Sequence, residues 1–434
     1  MPSPAEQTVM KRATALAQAS AVGVAYAVIS QPVALPADPL ALWADAETQR
    51  TLLWHQDGSW LLGEGCAVEA TCDGPDRVIR MAAEQARIRA LTVGDGPLLD
   101  AIFLTAWSFE ESAPGASHWG SHLAGARLWL PSRLHWRRAD GSGLFITVQA
   151  VDANGPLPHT QIPESTAASW PALTGDHRDA VEDAIGLIRD GALKKVVLAR
   201  AVDETLPSAF EPTAALARLR AASPDATVYA HDLDDGGLFL GATPELLFAA
   251  NDTCLHTMAL AGSVRRTGND QADSDALMLS TKQRKEHGLV VEHLAAVLRP
   301  RCAPLTIPNT PHARFTGRIA HLETLLTAEL KRPEHLDLIG ALHPTPAVCG
   351  LPAATAAHYL ARRERLHRGL YAGVLGHLSP SDSRCVVPLR GGIVRNDTAR
   401  LFAGGGIVET SDADDELAET ELKLGVMRQA LGLG

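Results

Sequence analysis

Four glutamates and a pair of lysines are the residues whose types and spacing are most able to do chemistry. Glu416, Glu419 and Lys423 stand at i, i+3 and i+7, and at 100° per residue they share roughly a 60° arc of one helix. Val426, Met427 and Ala430 continue that face, whereas Glu421 lies on the other side. An acidic patch running into an apolar stripe points inward. Glu286 repeats the pattern, on one helical line with Leu279, Val290 and Val297. A carboxylate buried without a counter-charge is costly, so each needs a cation or a proton. Three of them from two distant segments can share one divalent metal, and oxygen-only donors favour Mg2+ over zinc. The rival arrangement is that each glutamate pairs with a nearby lysine or arginine and knits helices together.

Lys194 and Lys195 enter an apolar strand, VVLAR. One of them can face the interior, where an amine beside a metal loses its proton and serves as a base; alternation alone does not say which. Glu245 in GATPELLF precedes an apolar run, and a desolvated carboxyl there stays protonated and acts as an acid. Gly404, Gly405 and Gly406 allow close backbone approach to a ligand or make a tight bend; they lack the G-x-G-x-x-G helix entry of a dinucleotide site. His343, in the stiff loop HPTP, is a candidate for ligand contact or a structural histidine. Arg390, after VVPL, has the planar fork that clamps a carboxylate.

The elements that must position these residues read in two stretches. From Gly23 to about Ala150 the chain is strand-like, with Asp57-Gly58 and Asp140-Gly141 as hairpin turns. A polar linker covers about 155–172. Beyond it, helices are expected over 176–193, 213–222, near 273–299, near 353–367 and from about 413 to 431. Strands are expected at KKVVLARAV, ATVYAHDL, GGLFLGATPELLF, YAGVLGHL, SRCVVPLRGGIV and ARLFAGGGIV. The mixture lacks a regular βαβ period, which predicts an α/β or α+β fold with extensive antiparallel pairing and no doubly wound Rossmann sheet.

Composition narrows the function. A net charge of −11 over 434 residues argues against a general nucleic-acid binder. It also means that an anionic substrate needs a local basic pocket or a divalent cation. Six cysteines without a C-x-x-C pair predict neither a zinc site nor a disulfide framework, and fit a reducing cytoplasm. The first twenty residues lack a signal-peptide core, and no apolar run is long enough to span a membrane.

A set of motifs in order over roughly 190–425 resembles the chorismate-utilising enzymes: isochorismate, salicylate, anthranilate and aminodeoxychorismate synthases. These motifs are KVVLAR (195–200), GATPELL (241–247), ALAGSVRR (259–266), K-x-x-x-E-H (282–287), HPTPAVCG (343–350), YAG (371–373), LFAGGGIV (401–408) and E-x-x-E-T-E-L-K (416–423). The N-terminal third resembles the family only loosely, through phrases such as AWSFEES. The resemblance implies one large domain, 1–434, of two packed β-sheets flanked by helices. Within it, a strand-rich part spans 1–165 and a chorismate-binding core spans 170–430.

The resemblance also implies roles. Glu286 and Glu419 match magnesium ligands, and Glu416 an acid acting through water. Lys195 matches the base that activates water, and Glu245 the acid that protonates the departing hydroxyl. Gly262, Ser263, Ala347, Tyr371, Arg390, Gly404 and Lys423 match substrate-contacting positions. The implied reaction adds water at C2 of chorismate as the C4 hydroxyl leaves, with Mg2+ on the ring carboxylate. A model lysine titrates near ~10.4, so such a base must be shifted by its surroundings. Ala347, where relatives that add amines or form salicylate usually carry Thr, favours isochorismate synthase. The alternatives are salicylate synthase, which would also eliminate pyruvate, and a catalytically silent chorismate-binding protein. Expected partners are the small molecule alone, without nucleic acid or membrane, in a monomer or weak homo-oligomer.

Overall fold

Asp57-Gly58 and Asp140-Gly141 close two hairpins, Gly58 and Gly141 taking the left-handed backbone (φ 80° and 86°) that such turns require. The hairpins join Arg50–Trp54 to Trp60–Glu64 and Arg133–Arg137 to Gly143–Ala150. The computed structural model describes residues 25–94, 102–111, 119, 125–151, 173 and 176–433. The expected linker at 155–172 and the first twenty residues lie outside them, as does Ser112, which ends AWSFEES.

Two large sheets organise the chain. One has twelve strands, in the order Gly350–Leu351, Lys195–Thr205, Thr398–Ile407, Gly391–Arg395, Leu238–Thr243, Thr227–Asp232, Arg50–Trp54, Trp60–Glu64, Arg133–Arg137, Gly143–Ala150, Tyr26–Pro32 and Thr92–Gly94. The other has ten. Its path runs Cys302–Thr306, Ile319–Leu330, Cys254–Arg265, Leu246–Asn251, Ser383–Val386, Val374–Leu378, Phe103–Trp107, Ala126–Leu130 and Val68–Cys72, with His312–Thr316 also on Ile319–Leu330. Among the described residues pairing is antiparallel except between Tyr26–Pro32 and Thr92–Gly94. The fold is thus a mixed α/β domain of two packed sheets with helices outside, and the described residues form no Rossmann sheet.

The main core lies between the sheets. Leu53, Leu61, Phe239 and Phe402 of the first meet Phe103, Leu128, Phe248 and Leu375 of the second. The opposite face of the first sheet is covered as well, where Leu52, Leu240 and Leu401 pack with Leu216 and Met427 of the helices Pro212–Ala222 and Ala413–Leu431. Burial on both faces explains why those strands read as continuous apolar runs.

Several elements depart from the sequence reading. Helix Arg77–Ala90 interrupts the strand-like stretch, burying Met81 and Ile88. The strands between 302 and 330 and helix His335–Leu342 were not anticipated. The helix expected near 273–299 is two, Asp270–Leu279 and Thr281–Leu298, because Ser280 caps the second by accepting from Gln283 N at 3.3 Å. Leu279, expected on the inward line of Glu286, therefore sits in the preceding helix and is exposed. Asp412 caps the last helix, accepting from Asp414 N at 2.9 Å. All six cysteines are free thiols. Among the described residues no helix is long and apolar enough to cross a membrane.

Candidate active site

The strand pair Lys195–Thr205 and Thr398–Ile407 builds one wall of a cavity that opens to solvent. Val197 and Ala199 line it, and alternation puts Lys195 on the same face. Lys195 is completely buried, whereas Lys194 is exposed, which resolves the lysine pair. Lys195 Nζ stands 2.9 Å from Glu286 Oε1, an ion pair by distance that lacks hydrogen-bond geometry.

The three glycines lie in the second half of the strand Thr398–Ile407 and make no bend. They clear space for acids. A Cβ on Gly406 would lie 2.1 Å from Glu286 Oε1 and 3.2 Å from Lys195 Cε, and one on Gly405 would lie 2.9 Å from Glu416 Oε2. Gly404 and Gly406 face the cavity; Gly405, between them, faces Glu416.

Glu245 and Arg390 occupy two neighbouring crossings between the sheets. The chain leaves the twelve-stranded sheet after Thr243 and enters the ten-stranded one at Leu246; it returns between Val386 and Gly391. Pro244 and Pro388, which cannot donate to a ladder, stand in these breaks. The crossings are tied by Val387 N donating to Glu245 O (3.1 Å) and Thr243 Oγ1 to Val387 O (2.5 Å). Burial raises the Glu245 carboxyl from 4.5 to about 7, against the opposing pull of Lys195, Lys423, Thr345 and Arg390. Near neutrality it therefore holds a proton part of the time. Arg390 takes a left-handed φ of 50°, costly for a side-chain-bearing residue, which sets the direction in which its side chain leaves the backbone. Burial lowers its pKa to about 10, so it remains cationic at neutral pH. Its Nη2 donates to His321 Nε2 at 2.7 Å, and His321 Nδ1 lies 2.9 Å from Ser263 Oγ.

The last helix delivers Glu419 and Lys423. Lys423 Nζ lies 2.7 Å from Glu419 Oε1 and donates to Gly404 O at 2.7 Å. Burial opposes ionisation of Glu419, but the Lys423 ammonium, with Lys282 and Arg390 beyond, holds its carboxyl below the usual range. Glu416 is buried deeper and is raised by burial and by Glu419. It is held by Ser411 Oγ at 2.7 Å and Lys282 Nζ at 2.9 Å, and its Oε2 has no partner.

Of the residues singled out in the sequence, Glu245, Glu286, Glu419, Gly262, Ser263, Ala347, Tyr371, Arg390, Gly404 and Lys423 all line this one cavity. Lys195 adjoins it through Glu286 and Gly406. Two residues stand elsewhere. Glu416 does not reach the wall, because the strand carrying Gly405 intervenes. His343 lines a separate cavity with Arg77, Phe109 and Glu110, and its Nε2 donates to Ala372 O at 2.8 Å. Burial lowers its pKa to about 4, so it is a neutral histidine bracing the segment that carries Tyr371. His321 and Arg368 line the cavity but were not singled out in the sequence; Arg368 lies just before YAG (371–373), whereas His321 falls outside every motif, with no periodicity to mark it.

Among the described residues no three His, Cys, Asp or Glu side chains converge to form a ready-made metal cage. Glu286 and Glu419 nonetheless open onto the same cavity and offer only oxygen donors, chemistry that fits a hard divalent ion. Each is at present balanced by one lysine.

A family model for chorismate binding enzymes matches residues 154–432. The salicylate biosynthesis isochorismate synthase of Pseudomonas aeruginosa is 33% identical over 427 residues, covering 91% of this chain and 88% of that protein. The isochorismate synthase DhbC of Bacillus subtilis is 34% identical over 321 residues, covering 71% and 78%. Among solved structures, the menaquinone-specific isochorismate synthase MenF of Escherichia coli superposes with a TM-score of 0.76 at 26% identity, over 97% of this chain and 100% of that one. All the lining residues of the cavity fall inside the matched span, and on that agreement of sequence, fold and site the chain belongs to the chorismate binding enzyme family.

Proposed function

We propose that this chain is an isochorismate synthase, an enzyme that converts chorismate to isochorismate with Mg2+ bound by Glu286 and Glu419. The observation that carries the reading is a buried amine, Lys195, and a carboxyl held near pH 7, Glu245, at one cavity that also presents Arg390 and Lys423. A base and an acid of this kind are what addition of water at one ring carbon and departure of hydroxide from another require. Lys195 Nζ, as the uncharged amine, takes a proton from the attacking water. Glu245 gives its proton to the C4 hydroxyl as it leaves, and the double bonds shift. Arg390 and Lys423 hold the substrate carboxylates by charge-assisted hydrogen bonds. A bound Mg2+ supplies the positive charge that a dicarboxylate needs in a protein of net charge −11. Glu286 and Glu419 would turn to it from their lysines, and Lys195, released from Glu286, would then face the cavity. Glu416, behind the strand, would act on the ion only indirectly.

Ala347 leaves a small, hydroxyl-free wall, which supports water rather than an amine as the nucleophile. The six free thiols support a reducing cytoplasm as its location. The deciding experiment incubates the protein with chorismate and Mg2+ and separates the products by chromatography. Isochorismate is expected, with none formed in chelator. Pyruvate and salicylate as main products would instead make it a salicylate synthase, and unchanged chorismate would refute catalysis.

A further inference from the structure

Arg390, His321 and Ser263 form a chain whose hydrogen-bond direction is fixed by chemistry. An arginine guanidinium can only donate. At 2.7 Å from Arg390 Nη2, His321 Nε2 must therefore accept, and so carries no proton. A neutral imidazole holds its single proton on the other nitrogen. His321 is neutral: it is buried, and burial together with Arg390, Lys423 and Arg314 pushes its pKa well below the usual value. Its Nδ1 thus bears the proton and donates to Ser263 Oγ at 2.9 Å, with the Gly262 backbone as a second acceptor. With its oxygen already accepting, Ser263 keeps its own O–H to give away. Ser263 lines the cavity, and its backbone is held from behind by Ser263 N donating to Gln283 Oε1 at 2.9 Å.

We infer that His321 is a positioning residue that relays the donor polarity of Arg390 to Ser263, making the Ser263 hydroxyl a fixed donor to an anionic oxygen of the ligand. The inference rests on the reading of this cavity as the chorismate site. The reversed tautomer would break the Arg390 contact and turn Ser263 into an acceptor facing a carboxylate. The relay therefore selects for an oxygen that accepts, as a carboxylate does, at the point between Ser263 and Arg390. A relay of neutral polar groups achieves this without placing another full charge in the site.

Two measurements test it. In histidine-15N-labelled, ligand-free protein, the ring signals missing from His321→Gln (or from His321→Asn, should the first variant misfold) belong to His321. A protonated Nδ1 and bare Nε2 are expected; the opposite tautomer overturns the relay whatever the enzyme does. The second is a double-mutant cycle on chorismate turnover. His321→Gln keeps an acceptor for Arg390 but has no donor at the Nδ1 position. Ser263→Ala should lower kcat/KM about tenfold in the wild-type background and less than about twofold in the His321→Gln background. Effects that simply multiply would show that His321 does not act through Ser263. A wild-type protein that leaves chorismate untouched sinks the reading of the cavity, while the tautomer result still decides the relay.

Discussion

Glu245 is the residue whose environment does most to define the chemistry, and its proton gives a test that needs no substrate. Its carboxyl is raised from 4.5 to about 7 by burial. The unfolded chain therefore ionises it first, and the stability its neutral form contributes is fully present below about pH 4.5 and lost as pH rises to about 7. The loss amounts to something on the order of 3 kcal/mol. Glu245→Gln cannot ionise, so its stability relative to wild type should improve across that window. Urea unfolding of both proteins in chelator at several pH values checks this, and a difference independent of pH would show that the carboxyl is not held up by burial. At this scale the sequence was informative where a motif isolates one residue, as with Arg390 or Lys423. It was silent where the deciding contact comes from a distant segment. Lys194 and Lys195 differ only in which side of a strand faces the cavity, and His321 gains its role from Arg390, 69 positions away in sequence.

Between residues and whole molecule, the strand Thr398–Ile407 and the helices around it show how much of the site is made by what is absent. A methyl group at Gly406 would stand 2.1 Å from Glu286 Oε1, closer than non-bonded atoms approach, so Gly406→Ala must push that carboxylate aside. Calorimetric titration with Mg2+ should show affinity at least about tenfold weaker than wild type, roughly a charge-assisted bond's worth, with folding retained; unaltered binding would remove Glu286 from the proposed ligand set. Arg368 performs a different service. It is buried, 2.5 Å from Glu364, and donates to Val348 O and Val197 O at 2.7 Å, while Glu364 accepts from Ala199 N at 3.0 Å. It thus binds the loop before helix Ala353–Arg363 to the cavity strand. Arg368→Met leaves Glu364 buried without its partner and should cost about 3–5 kcal/mol, read as a lowered denaturation midpoint. A cost below about 1 kcal/mol would make the pair dispensable. The glycine run was visible in the sequence, but its purpose was not, because a bend and a cleared cradle look alike until the opposing glutamates are placed. The same limit hid the break at Ser280: a helical period continues across a capping serine.

At the scale of the molecule, the described residues of the N-terminal third include none on the cavity wall, yet they supply six strands to the larger sheet and three to the smaller. The seams are full ladders. Arg50–Trp54 pairs with Thr227–Asp232, and Phe103–Trp107 pairs with Val374–Leu378. Removing the first 150 residues would leave both of the inner strands as bare edges, and would strip Phe103, Leu104, Trp107, Leu128 and Trp129 from the core that backs Phe239, Phe248 and Leu375. The strand-like character of that third could be read directly from its hairpins. That its strands complete the sheets of the catalytic half could not, since partners more than a hundred residues apart leave no local trace. We therefore expect the chain to unfold as one unit, although its length exceeds the range where that is common. Scanning calorimetry should give a single transition with calorimetric and van't Hoff enthalpies in agreement. A fragment of residues 173–434 alone should aggregate or lack a cooperative melt, and co-expression with 1–160 should restore it. Two separated transitions, or a C-terminal fragment that melts cooperatively by itself, would show that the N-terminal third is an independent domain resting on a self-sufficient core.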